Sequence, residues 1–232
     1  FDYSQQEPRL VVHYASLDQD ASVFNVKDAY EDGNADFHTI VAEMAEIPRD
    51  QAKTINLGLF YGMGKAKLQA ELGVSKDKAA ELFNMYHGKV PFVKQLMEKA
   101  SNRAQDRGQI RTLLGRLCRF HLWEPNSFGM HKAMTHEDAL AEHGPGIKRA
   151  YTYKALNKLI QGSAADMTKK SMLELYKEGI VAHIQIHDEL CLSIENDAQA
   201  KKVIEIMEQA VNLEVPNKVD YEHGKNWGTI ND

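Results

Sequence analysis

Between Ile180 and Ile194 the chain carries two apolar runs of alternating character, Ile180-Val181-Ala182-His183-Ile184-Gln185-Ile186 and Leu190-Cys191-Leu192-Ser193-Ile194, hinged on His187-Asp188-Glu189. Alternation with a period of two belongs to β-strands, so a polar hinge between two such runs predicts a β-hairpin with an acid at its tip. A second acid, Asp2, opens the chain in Phe1-Asp2-Tyr3-Ser4-Gln5-Gln6-Glu7-Pro8-Arg9. Two carboxylates on separate strand ends suit a two-metal phosphoryl-transfer site, where each divalent cation needs hard oxygen ligands and open positions for phosphate oxygens. A solvated turn explains an isolated His-Asp-Glu equally well, because acids at hairpin turns are ordinary.

A third segment bears on that choice. In Arg49-Asp50-Gln51-Ala52-Lys53-Thr54-Ile55-Asn56-Leu57-Gly58-Leu59-Phe60-Tyr61-Gly62, the residues Arg49, Lys53, Leu57 and Tyr61 recur every four positions. On a helix they form a slowly winding stripe that begins cationic and ends aromatic. Two cations at i,i+4 repel weakly in isolation, a cost that becomes a gain when a polyanion lies across them. A nucleoside triphosphate suits the order, with phosphates on Arg49 and Lys53 and a base near Tyr61. An amphipathic helix with a solvated basic start and a core-packed end accounts for this segment taken alone.

The three segments in this order resemble motifs A, B and C of the family A DNA polymerases, the bacterial DNA polymerase I type that many phages also carry. Asp2 to Arg9 is similar to Asp-Tyr-Ser-Gln-Ile-Glu-Leu-Arg, with Gln6 and Pro8 as departures. Arg49 to Tyr61 is similar to Arg-x3-Lys-x3-Phe-x3-Tyr, with Leu57 at the usual aromatic position. Gln185 to Leu190 resembles Gln-Val-His-Asp-Glu-Leu, and Asn157 to Asp166 resembles Asn-x3-Gln-Gly-Thr-Ala-Ala-Asp. The likeness runs the length of the chain and is weakest between about Phe120 and Ala150.

The resemblance implies an α+β fold in which a helical fingers subdomain is inserted into a palm with a small antiparallel sheet, the right-hand polymerase fold without its thumb. Residues 1–12 and 153–232 would form the palm and 13–152 the fingers. It further implies template-directed DNA synthesis by two-metal nucleotidyl transfer, with two Mg2+ ions (Mn2+ as substitute), primer-template DNA and deoxynucleoside triphosphates as partners. Asp2 and Asp188 would ligate the metals with the carbonyl of Tyr3, and Glu189, expected to point elsewhere by alternation, would be a secondary acid. Gln5, Gln6, Glu7, His38, Arg49, Lys53, Leu57 and Tyr61 would line the nucleotide. Among these, Lys53 would donate a proton to pyrophosphate and Glu7 would exclude a ribose 2′-hydroxyl. Asn157 and Gln161 would reach minor-groove acceptors common to all base pairs, His187 the primer terminus, and Tyr153 would be a DNA contact. A single-subunit RNA polymerase and a non-catalytic nucleic-acid-binding fragment are the alternatives, the first disfavoured by Glu7 and the second by the intact Asp2, Asp188 and Lys53.

Family members place an exonuclease domain, a thumb and the start of the palm before the first motif, so the resemblance also implies a piece of a longer or split polymerase, inactive by itself. Val215 to Trp227 is similar to the family's closing strand and tail. A length of 232 residues with 43% hydrophobic content supports an ordinary core, and the net charge of −5 leaves room for a basic cleft on an otherwise acidic surface. Cys118 and Cys191 lack metal-binding spacing, so reduced thiols in the cytoplasm of a bacterium or a phage-infected host are expected.

Helical spacing predicts helices over 36–45, 50–62, 76–86, 90–108, 155–177 and 197–213, with Ser75 as an N-cap. Short strands are expected at 110–114, 118–122 and near Val219. The segment 120–147 holds His121, His131, His136 and His143 among several acids. Its spacings match no standard zinc pattern, and a variable surface excursion is the favoured reading over a metal site.

Overall fold

The computed structural model describes residues 1–17, 21–31, 36–60, 62–127 and 129–229. In chain order the elements are β1 (Asp2–Tyr3), α1 (Gln6–Leu17), a 3-10 turn (Ala21–Val23), α2 (Phe24–Glu31), α3 (Phe37–Ala45) and α4 (Arg49–Phe60). There follow α5 (Lys65–Leu72), α6 (Lys76–Lys89), α7 (Pro91–Arg107), β2 (Gln109–Arg111), β3 (Leu117–Arg119), β4 (Trp123–Pro125), α8 (His136–His143) and β5 (Ile147–Arg149). A 3-10 turn (Thr152–Lys154) leads into α9 (Ala155–Lys177), then β6 (Ile184–Ile186), β7 (Glu189–Cys191), α10 (Asp197–Gln209), β8 (Val219–Asp220) and a last 3-10 turn (Trp227–Thr229).

The chain divides into two compact units, a sheet unit of Phe1–Phe37 with Ser163–Asp232 and a helical unit of His38–Gly162. The boundaries expected at 12/13 and 152/153 fall within α1 and within the 3-10 turn before α9. In the sheet unit, four antiparallel strands lie in the order β6-β7-β1-β8. Their apolar support comes from Leu10, Val11 and Val12 of α1, Met167 of α9, and Val203 and Met207 of α10, all buried. At the sheet edge, β6 leaves Ile184 and Ile186 exposed.

Local chemistry explains most element ends. Ser75, Thr135 and Asn196 accept the amides of Lys78, Asp138 and Gln199 and so cap α6, α8 and α10. Pro91 occupies the first turn of α7, where no amide donor is required, and Gly108 ends that helix at φ 66°. The final predicted helix stops four residues early, at Gln209 rather than 213, because the Asn217 side chain donates to the carbonyls of Glu208 (2.9 Å) and Val211 (2.7 Å). The first hairpin strand starts later than its alternating run because Ile180 N–H bonds Leu175 O at 2.9 Å and finishes α9. Helix α1 is absent from the sequence expectation: Gln6 to His13 are all buried, so no polar stripe marks it. In the segment 120–147, β4 and β5 are paired and α8 lies between them in sequence.

Candidate active site

Strand β1 is central in the sheet, with Asp2 opposite Glu189 of β7 and opposite Asp220 of β8. Directly opposed residues share a face of an antiparallel pair, so three carboxylate side chains from three strands lie in one row. The expectation that Glu189 turns away from Asp2 is therefore corrected. It assumed alternation from Asp188, but Asp188 belongs to the two-residue turn joining β6 and β7, where His187 has φ 55°. The turn resets the alternation. Tyr3 N–H reaches the Asp188 carbonyl at 3.5 Å, which places Asp188 beside the end of β1.

Electrostatics record this convergence. Asp2 is exposed as a residue, yet its carboxyl is pushed up from 3.8 to about 6, first by crowding that strips water and then by the charges of Asp188, Glu189 and Asp220, with the N-terminal ammonium opposing. His187 Nδ1 lies 2.9 Å from Asp188 Oδ1 and its Nε2 lies 4.0 Å from Glu7 Oε1. The hydrogen bond to Asp188 raises the imidazole above its ordinary value against partial burial, with the charges of Asp188, Glu7 and Asp2 adding to it. Among the described residues no cluster of three or more His, Cys, Asp or Glu forms a ready metal cage. Magnesium takes one or two protein carboxylates and completes its shell with water and substrate phosphates. Asp2 and Asp188 fit such an ion by the hardness of their oxygens and by the mutual repulsion it would relieve.

The scaffold of this row is firm. Tyr3 sends its hydroxyl into the core, 2.6 Å from both Ser171 Oγ and Met207 O, tying β1 to α9 and α10 and pushing the phenol up to about 12, chiefly through burial. Gln5 has φ 55°, and its Oε1 accepts from Tyr30 Oη (3.1 Å) and Phe37 N (2.8 Å). Gln6 is buried and its amide donates to Ala164 O (3.4 Å) and Thr168 Oγ1 (3.3 Å), so this side chain is engaged with α9. Glu7 is buried as well. Arg9, missing from the expected site, lies 4.5 Å over the Tyr30 ring and bonds Ser4 O and Pro216 O, locking the turn after β1.

In the helical unit, α4 buries Ala52, Ile55, Asn56, Leu59 and Phe60 and leaves Arg49 and Lys53 exposed, with Leu57 half-buried. Tyr61 lies outside the described residues. His38, in the first turn of α3, is buried with Nδ1 3.0 Å from Asn56 Nδ2. When Asn56 donates, Nδ1 is the acceptor and the proton rests on Nε2. Sequence reasoning missed Asn56, although an Asn at a buried helix position demands a partner, and its Oδ1 has none among the described residues. On α9, Asn157 is half-buried and Gln161 exposed. In the excursion, His136 stacks edge-on at 4.7 Å on Trp123 and His131 Nε2 lies 3.2 Å from Ser127 Oγ.

The profile of DNA polymerase family A matches residues 1–229. A DNA-directed DNA polymerase of Pseudomonas phage M6 is 35% identical across 98% of this chain and 37% of its own length. DNA polymerase I of Bacillus caldotenax is 34% identical across 97% of this chain and 25% of its length. The POL domain of Pol1 from M. smegmatis, solved in complex with DNA primer-template and dNTP, shares 27% identity and a TM-score of 0.76, covering 99% of this chain and 39% of that one. The chain thus spans less than two fifths of the length of each of these relatives.

Proposed function

The chain belongs to DNA polymerase family A, and on that premise we propose that it supplies the catalytic carboxylates and nucleotide-binding helix for template-directed DNA synthesis. The reaction adds a deoxynucleoside monophosphate to a primer 3′-hydroxyl and releases pyrophosphate. The sheet unit would serve as palm and the helical unit as fingers. The observation that carries the reading is the convergence of Asp188 and Glu189 on Asp2, whose carboxyl is lifted to about 6 first by loss of water around it and then by their charges.

Asp2 and Asp188, with the Tyr3 carbonyl, would hold the divalent ions, which when bound acidify the 3′-hydroxyl and neutralise the leaving pyrophosphate. Arg49 and Lys53, one turn apart and exposed on α4, would clamp the triphosphate, with Lys53 returning a proton to pyrophosphate. His38, held by Asn56, would present Nε2–H to a phosphate oxygen. Glu7 would crowd the sugar 2′ position and His187 would meet the primer terminus. Asn157 and Gln161 would check the minor groove. Gln5 and Gln6 would shape the nucleotide site through the backbone, since both side chains are bonded within the sheet unit.

Manganese binding read by electron paramagnetic resonance, with primer extension by a full-length family A polymerase carrying these residues, tests the reading. Asp188→Asn should weaken Mn2+ binding and abolish extension while DNA affinity persists, because phosphate contacts are distributed. Extension or Mn2+ binding indifferent to Asp188 would overturn it.

A further inference from the structure

Arg9 is only 5% exposed, and among the described residues no carboxylate lies within ion-pair distance of it. A guanidinium buried without an acid is costly unless other groups take up its donors and its charge. Here two carbonyls and a ring do so. Nε donates to Ser4 O at 2.8 Å, Nη1 donates to Pro216 O, and the guanidinium carbon lies 4.5 Å from the centre of the Tyr30 ring. A planar fork can bond two chain segments while its face rests on an aromatic ring, which the point charge of a lysine cannot do.

Both segments lead to carboxylates of the row. Ser4 follows β1, which carries Asp2, and its N–H is bonded to Lys218 O at 2.9 Å. Pro216 leads into β8, which carries Asp220. Tyr30, in the last turn of α2 and buried, adds a second hold: its hydroxyl donates to Gln5 Oε1 at 3.1 Å, and the same oxygen accepts Phe37 N–H at 2.8 Å. Gln5 stands at φ 55°, a left-handed backbone unfavourable for a residue with a side chain. Strained backbone persists where surrounding bonds over-determine it, and such positions concentrate at functional sites. Ser4 and Gln5 are the whole link between β1 and α1, and Glu7 lies in the first turn of α1. The conformation of this link therefore sets the direction in which α1 leaves the sheet, and with it the place of Glu7 relative to Asp2.

We propose that Arg9 and Tyr30 are positioning residues for sugar selection, which fix the Ser4–Gln5 link and so hold Glu7 and Asp2 in the relation that excludes a ribose 2′-hydroxyl. The proposal rests on the polymerase reading, which gives Glu7 its sugar. Arg9 reaches the link through the Ser4 carbonyl, and Tyr30 reaches it through the Gln5 side chain.

Ribonucleotide and deoxynucleotide incorporation by one preparation of a full-length family A polymerase carrying these residues tests it, because any loss of folded protein cancels from the ratio. Tyr30→Phe keeps the ring beneath Arg9 and deletes only the hydroxyl. The ratio of ribo- to deoxynucleotide incorporation should rise by up to about fivefold, the contribution of one neutral hydrogen bond. In a Glu7→Ala background Tyr30→Phe should add nothing, since the residue through which it acts is gone. On the 232-residue chain, Arg9→Lys should weaken Mn2+ binding, read by electron paramagnetic resonance, about tenfold, the usual effect of loosening a group that orients a metal ligand. If Arg9→Lys does not fold, the ratio in Tyr30→Phe decides by itself. A ratio left at the wild-type value by Tyr30→Phe, a rise that is equal with and without Glu7, or Mn2+ affinity unmoved in a folded Arg9→Lys would overturn the proposal. Extension that needs Asp188, with a sugar ratio indifferent to Tyr30, sinks the positioning role alone. Extension that ignores Asp188 sinks the polymerase reading, whatever the ratio does.

Discussion

Replacing Asp2 by Asn should stabilise the metal-free protein, and the gain should depend on pH. The Asp2 carboxyl titrates near 6 in the folded chain against 3.8 when unperturbed. A raised folded value means that the native state binds its proton more tightly than the unfolded chain does. Stability therefore falls as pH climbs through the interval from about 4 to about 6, and the full cost is present above it. At about 1.4 kcal/mol per pH unit the ceiling is about 3 kcal/mol. Asp2 is exposed, so solvent screening reduces the expected cost to about 1 kcal/mol. For a chain of this size that corresponds to about 2–4 °C in melting temperature. Asn keeps the shape and removes the charge that Asp188, Glu189 and Asp220 oppose. Thermal melts in chelator should show Asp2→Asn above wild type near neutral pH, with the two converging at about pH 4. Added Mg2+ should close the gap by stabilising wild type alone, because a bound cation supplies the missing counter-charge. A wild-type-minus-variant difference that is constant with pH, or equal stabilisation of both proteins by Mg2+, would show that the carboxylates do not repel one another as argued.

Tyr3→Phe removes a hydroxyl with two 2.6 Å bonds and leaves the Met207 carbonyl with the Ala210 amide at 3.3 Å, so urea melts should show a loss of about 1 kcal/mol. Gly162→Ala would bring its Cβ to 2.7 Å from Thr112 Cγ2; the clash, about 1–3 kcal/mol, outweighs the helix-propensity gain of about 1 kcal/mol, and Thr112→Ser should rescue the variant by deleting the obstructing methyl. His13 is held below its usual value by burial, against the pull of Glu214, and its Nδ1 accepts Glu214 N–H at 3.0 Å. Its contribution is complete above about pH 6.5 and is lost as pH falls, so the wild-type-minus-His13→Gln difference in melting temperature should shrink on acidification. In a full-length family A polymerase carrying these residues, Glu7→Ala should raise the ratio of ribonucleotide to deoxynucleotide incorporation, and an unchanged ratio would remove Glu7 from the sugar-gate role.

What the sequence alone determined is what neighbouring residues enforce. Helical spacing set α9 over Ala155–Lys177, the Ser75 hydroxyl marked the start of α6, and alternation announced the β6–β7 hairpin. The motif-bearing residues were legible because each motif is short and contiguous. Helix α1 was hidden because burial on all sides erases the polar stripe on which periodicity depends. Tertiary structure alone decided the register that sets Asp2 between Glu189 and Asp220, the turn that defeats simple alternation at Asp188, the diversion of Gln6 into bonds with α9, and the pairing of His38 with Asn56. Strand partners far apart in the chain carry no local signature of their pairing, and a pKa is set by whichever charges that pairing brings near. The sequence therefore named the acids, and the fold made them neighbours.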